Sequence, residues 1–144
     1  FRYIEHDEVL NDVERAMKVW SKETDGLVEF ERTNRSECAD VYIEWVRPTE
    51  FQTKYSATAG EATVYASGYS GSFILLERVN ITLLPFGDDY PSDATYSTVL
   101  HELGHVLGLG HSERSCDVMT SSKSCDSSRF TSYIKNTISA IYAN

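Results

Sequence analysis

His101-Glu102-Leu103-Gly104-His105-Val106-Leu107-Gly108-Leu109-Gly110-His111 places three imidazoles and a carboxylate within eleven residues. On a helix, positions four apart lie about 40° apart in azimuth and one turn apart in height, so His101 and His105 share a face and can hold one metal ion. Glu102 projects about 100° round from His101, beside such an ion and not on it. Gly108 follows three residues after His105, and glycine enters the left-handed conformation that ends a helix without a Cβ penalty. The chain can turn there and return His111 to the same ion. Three neutral imidazoles leave the fourth position of a tetrahedral zinc open to water, the mark of a catalytic site. Zinc lowers the pKa of that water to about 7, and Glu102 is placed to take its proton during attack on a polarised carbonyl. The reaction implied is amide hydrolysis. A lone HExxH also arises in helices that bind nothing. The further spacing to Gly108 and His111 is much more specific, and it claims three of the chain's four histidines.

At these residues the sequence resembles the metzincin metalloproteases, whose signature is HExxHxxGxxH followed by a methionine turn. Ser112 directly after the third histidine, and Met119 eight residues after it, resemble the matrixin branch, the catalytic domains of matrix metalloproteinases. Astacins carry Glu at the position of Ser112, reprolysins Asp and serralysins Pro. The resemblance implies one catalytic zinc ion on His101, His105 and His111, with Glu102 as general base. Gly108 and Met119 then support the site structurally, Met119 lying beneath the metal without ligating it. The implied activity is that of a secreted or extracellular zinc-dependent endopeptidase acting on extended polypeptides. The implied fold is α/β (α+β): a twisted mixed sheet with a substrate-binding edge strand, a backing helix, the zinc-site helix and a C-terminal helix. One catalytic domain over residues 1–144 is expected, with an upper part to about 107 and a lower part from about 108.

Composition agrees with a folded domain. A chain of 144 residues with 41% apolar content and 12% aromatics has enough material for one core. No apolar run approaches the roughly 18 residues of a membrane span, and the N-terminus lacks the basic-then-apolar layout of a signal peptide. The start at Phe1 without Met suits a processed or trimmed form. A formal net charge of −9 argues against nucleic acid or an anionic membrane as partner. Between Tyr55 and Leu100 stand Glu61, Glu77, Asp88, Asp89 and Asp93 against Arg78 alone. If that segment borders the cleft, its field favours cationic or neutral peptides, although a solvated surface explains the charge equally well. A peptide or protein substrate and a monomeric state are expected.

Phe1 to Glu5 alternates as a short strand does. Asp7 then makes an N-cap for a helix of about four turns, with Val9, Leu10, Val13, Ala16, Met17 and Trp20 at helical spacing. Thr24-Asp25-Gly26 signals a turn, after which Leu27 to Arg32 reads as a strand. Val41 to Val46 is a second, more apolar strand ending at Pro48. This order suggests a βαβ unit with some parallel pairing. Residues 50–71 suit a loop around one short strand, about Glu61 to Ala66. In the matrixin pattern this strand is the sheet edge that takes substrate antiparallel, so Glu61, Ala62, Thr63, Val64 and Tyr65 are candidate substrate contacts. A free edge offers backbone N–H and C=O groups to a peptide, yet an ordinary edge strand that binds nothing has the same sequence. Phe73 to Leu84 is core sheet, with Val79, Ile81 and Leu83 alternating against Asn80 and Thr82. Ser92 or Asp93 can cap the zinc-site helix, which should run to about Leu107. From Thr131 to Tyr142, Tyr133, Ile134, Ile138 and Ile141 mark a closing helix on the core.

By the resemblance, the segment from Thr120 to Asp126 forms the wall of the pocket beyond the scissile bond. Thr120, Ser121 and Ser122 replace the family's usual Pro and Tyr there. Cys116 and Cys125 flank Met119 and can close a short loop around it in an oxidising compartment. Cys38 bonded to either, or three free thiols, are the alternatives, and a cysteine metal site is disfavoured by the absence of a CxxC element. The family's structural zinc needs three further histidines and an aspartate, and only His6 remains, so the count excludes it. Calcium has candidate ligands in Asp88, Asp89 and Asp93, but their spacing fits no known loop motif, and capping or solvation accounts for them. Two other readings compete with an endopeptidase. A chain-end peptidase would need a group for a free terminus, and none is visible. A zinc-binding pseudo-protease or protein-interaction module would have no need of Glu102.

Overall fold

Apolar side chains at Val9, Val13, Ala16 and Trp20 recur at steps of four, three and four, and a helix turns all of them to one side. That helix, α1, spans His6–Glu23, with Asp7 and Glu8 in the first turn and Lys22 in the last, where each charge complements the helix dipole. The four apolar residues are buried. The computed structural model describes residues 6–45, 60–70, 73–83, 94–121 and 129–143. The expected N-terminal strand, the 50–59 and 85–91 loops and the cap at Ser92 or Asp93 lie outside them.

The turn expected at Thr24-Asp25-Gly26 is present. The Gly26 N–H donates to the Ser21 carbonyl (2.9 Å) and the Asp25 N–H to that of Lys22 (3.3 Å), with positive φ at Asp25 (53°) and Gly26 (75°). The strand expected over Leu27 to Arg32 is not formed: among the described residues this segment enters no sheet. Its alternation has another cause. Val28 is buried and Phe30 packs on the core while Leu27, Glu29 and Glu31 are exposed, so the period of two records which side chains face inward and not a ladder.

A single 3-10 turn at Ser36–Cys38 leads into β1, Val41–Trp45. β2 runs over Gly60–Ser70 and β3 over Phe73–Leu83. Their order in the sheet is β1-β3-β2, with β1 parallel and β2 antiparallel to β3. The sheet is therefore mixed, as the order of elements led one to expect, and β2 lies at its edge among the described strands. Register places Val41, Ile43 and Trp45 beside Val79, Ile81 and Leu83, so one face of the sheet is apolar. Val79, Ile81 and Leu83 are almost fully buried, and each such side chain removed from water stabilises the fold by about 1.5–3 kcal/mol. β2 extends beyond the expected Ala66, because irregularities between Tyr65 and Gly68 shift the register and let pairing resume to Ser70 opposite Phe73.

Two further helices complete the described architecture, α2 at Ala94–Val106 and α3 at Ser132–Tyr142. α1 packs on α2, and the Trp20 indole N–H donates to the Leu100 carbonyl (2.9 Å), tying the two together inside the core. Thr131 caps α3 by accepting from the Ile134 N–H. Ile134 and Ile138 face the core as expected and Ile141 packs partly against it. Tyr133 does not: it is 49% exposed, one position off the stripe, with the Arg114 guanidinium 4.9 Å from its ring centre. The Tyr142 hydroxyl donates to the Leu107 carbonyl (3.1 Å) and Lys135 pairs with Glu23 (2.6 Å), so α3 is joined to the ends of both other helices.

Candidate metal centre

α2 carries His101, Glu102 and His105, and its end decides where His111 goes. The Leu109 N–H donates to the Gly104 carbonyl and the Gly108 N–H to the His105 carbonyl, both at 3.0 Å, with Gly108 at φ +87°. This six-to-one and five-to-two pair is a Schellman closure, and it requires the left-handed residue that glycine supplies. The chain reverses, and the three rings meet. Ring centres are 4.8 Å apart for His101 and His105, 4.9 Å for His105 and His111, and 5.2 Å for His101 and His111. One ring nitrogen from each lies within 4.8 Å of the other two.

Two of the rings are oriented by backbone. His101 Nδ1 lies 2.8 Å from the Val118 carbonyl and His105 Nδ1 2.8 Å from the Leu109 carbonyl. A carbonyl only accepts, so each Nδ1 bears the proton and each Nε2 presents its lone pair to the centre. Burial pushes the His101 imidazole down to about 4, helped by the neighbouring imidazoles and opposed by the Val118 carbonyl and by Asp117. Burial lowers His105 as well. Both are neutral at pH 7, the form that binds metal.

Glu102 is 5% exposed. Burial, with the charge of Glu61 adding to it, raises the Glu102 carboxyl to about 7, while the Ala62 N–H of β2 donates to it and acts in the opposite sense. The acid beside the imidazoles is thus in contact with the edge strand. Gly60 permits this approach: a Cβ there would lie 2.7 Å from Thr98 Cγ2 and 3.3 Å from Glu102 Oε1. Along β2, Val64 and Tyr65 are exposed and Glu61 and Ala62 half-buried. The Arg78 guanidinium stands 4.7 Å from the Tyr65 ring centre.

Beneath the site, Ser112 to Thr120 forms a closed loop. The Ser112 N–H donates to the Met119 carbonyl (2.8 Å), and the Val118 N–H to the Arg129 carbonyl (2.8 Å). Met119 is fully buried. It lies so close to α2 that a Cβ on Gly104 would fall inside its Sδ and within 3.1 Å of Trp20 Cζ2. Asp117, also fully buried, accepts from the Met119 N–H through Oδ1 (2.8 Å) and shapes the turn. Thr120 is buried, its N–H donating to the Asp117 carbonyl (3.1 Å), and Ser121 is exposed. Ser122, Cys125, the remainder of the expected pocket wall, and Asp88, Asp89 and Asp93 lie outside the described residues. Cys38 is an exposed free thiol and Cys116 is disulfide-bonded.

Gly60, Gly104 and Asp117 escape a reading of the sequence. A glycine inside a helical pattern hints at close packing, which is the signal Gly104 carries. Nothing comparable marks Asp117, whose burial depends on a loop without periodicity.

A helix that passes its third imidazole through a left-handed glycine and rests on a buried methionine places the chain among the metzincins. More narrowly, the chain belongs to the matrixin family, whose family model matches residues 2–143. It is 31% identical over 123 residues to a putative matrix metalloproteinase of Spodoptera frugiperda ascovirus 1a, an alignment covering 80% of this chain and 31% of that relative. The chain therefore spans about a third of the relative's length. No solved structure matches.

Proposed function

We propose that this chain is a catalytic domain of a zinc-dependent endopeptidase that hydrolyses peptide bonds of extended polypeptides. The observation that carries this reading is the convergence of three imidazoles, two of them fixed by carbonyls at Nδ1 so that Nε2 faces inward. That donor set fits zinc, which takes neutral nitrogen ligands at about 2.0–2.1 Å and keeps one position open in catalytic sites. When bound, zinc supplies Lewis acidity, polarising a carbonyl and making water acidic near neutrality.

The protein's own part is positioning and proton transfer. Glu102, held up to about 7 by burial and by Glu61, is poised to take a proton from the attacking water and return it to the leaving amine. The edge of β2 offers Glu61 to Tyr65 as backbone for a substrate strand, and Thr120, Ser121 and Ser122 begin the far wall of the pocket. Residues 1–107 and 108–144 serve as the upper and lower parts of one domain around this cleft. A bridge from Cys116 to Cys125 belongs to the same proposal, and with it an extracellular location.

Cleavage of a quenched peptide library by the zinc-loaded chain and by Glu102→Gln tests the reading. Zinc stoichiometry should stay at the parent's value while turnover falls by at least the roughly 10²–10⁴-fold that general-base catalysis contributes. A zinc-loaded parent that cuts nothing but captures a protein partner would favour the interaction-module reading instead.

A further inference from the structure

Asp117 has more charge than its turn requires. Oδ1 accepts the Met119 N–H, a bond that an asparagine or serine side chain makes equally well. Oδ2 is buried with no hydrogen-bond partner among the described residues, in a residue that is itself fully buried. An unpaired carboxylate oxygen inside a protein is costly where nothing compensates it. Something should balance it in the working state. The neighbouring residue, Val118, gives its carbonyl to His101 Nδ1. The Asp117 carboxylate also acts on the His101 pKa in the direction that favours a positive charge there, against burial and the neighbouring imidazoles. A divalent cation shared by three neutral imidazoles would bring two positive charges to that place.

We infer that Asp117 is the buried counter-charge of the metal centre, a positioning residue that sets the Val118 carbonyl against His101 and offsets the charge of a divalent cation on the three imidazoles. The inference rests on the metal-site reading above. It assigns the carboxylate two separable tasks: Oδ1 builds the turn, and the charge favours the metal-bound state. Partners that orient metal-binding histidines typically change metal affinity by about 10–100-fold when removed.

Zinc affinity of the whole chain, measured by competition with a chromophoric chelator, and thermal melting with zinc removed separate these tasks in the parent, Asp117→Asn and Asp117→Ser. Both variants keep an acceptor for the Met119 N–H and lose the charge. The expected result is zinc binding weaker by roughly 10–100-fold with the metal-free melting temperature unchanged or raised. Zinc affinity within about threefold of the parent's would overturn the counter-charge role. So would failure of both variants to fold without metal, since the fold itself would then need the charge. A parent chain that binds no zinc is a different outcome, which removes the metal-site reading and this inference with it.

Discussion

At the scale of single residues, His101 and Glu102 are neighbours on α2 with protonation shifted in opposite directions by the same cause, burial, and each shift is a statement about stability. In the metal-free chain His101 titrates near 4 instead of its ordinary 6.5, so between those values the unfolded chain takes up a proton that the folded chain refuses. Stability from this residue is present above pH 6.5 and lost as pH falls towards 4. Glu102 titrates near 7 instead of 4.5. Its contribution is whole below pH 4.5 and is lost as pH rises through 7, because the unfolded chain ionises first. Glu102→Gln removes only the second slope. Urea unfolding in a chelator should show the variant gaining on the parent between pH 4.5 and 7, by about 3 kcal/mol at the plateau, and no further above it. A stability difference independent of pH would contradict the burial of this acid. Gly104 shows the same economy of space: alanine would favour the helix by about 1 kcal/mol, but its Cβ would displace Met119.

At the scale of elements, the closure of α2 gathers three imidazoles into one cluster. A Cβ on Gly108 would meet nothing within 4 Å, so alanine there suffers only from φ +87°. Gly108→Ala should therefore cost about 1–2 kcal/mol in the metal-free chain and weaken zinc binding besides, since His111 follows the turn. Denaturant titration and chelator competition check the two effects, and unchanged zinc affinity would show that His111 reaches the centre by another route. This closure was legible in the sequence because each of its parts has a local cause: two histidines at helical spacing, and glycine where a left-handed residue is needed. The amphipathic α1 and the alternation of Val79, Ile81 and Leu83 were legible for the same reason. Leu27 to Arg32 misled because alternation reports burial, and Val28 and Phe30 obtain burial against the core without a partner strand. β2 appeared too short because Gly68 and Ser70 have little strand propensity, yet register shifts let them pair with β3. Tyr133 fell outside the core face because an exposed tyrosine can stack with Arg114.

At the scale of the whole molecule, the centre is built from parts far apart in the chain. α1 braces α2 through the Trp20 bond to Leu100, β2 brings the Ala62 N–H to Glu102, and the loop from Ser112 to Thr120 places Met119 and the Val118 carbonyl underneath. The helix motif reveals the three clustered histidines, whereas these long-range supports follow from packing alone, and so Gly60 and Asp117 were invisible until the fold was known and Gly104 was only hinted at. X-ray absorption at the zinc edge, on the whole chain loaded with one equivalent of zinc, examines the assembled centre most directly. Three imidazole nitrogens at about 2.0–2.1 Å with the remaining coordination from solvent oxygen are expected, and His111→Ala should remove one imidazole. A sulfur shell near 2.3 Å, or an imidazole count unchanged in His111→Ala, would contradict the three-histidine site.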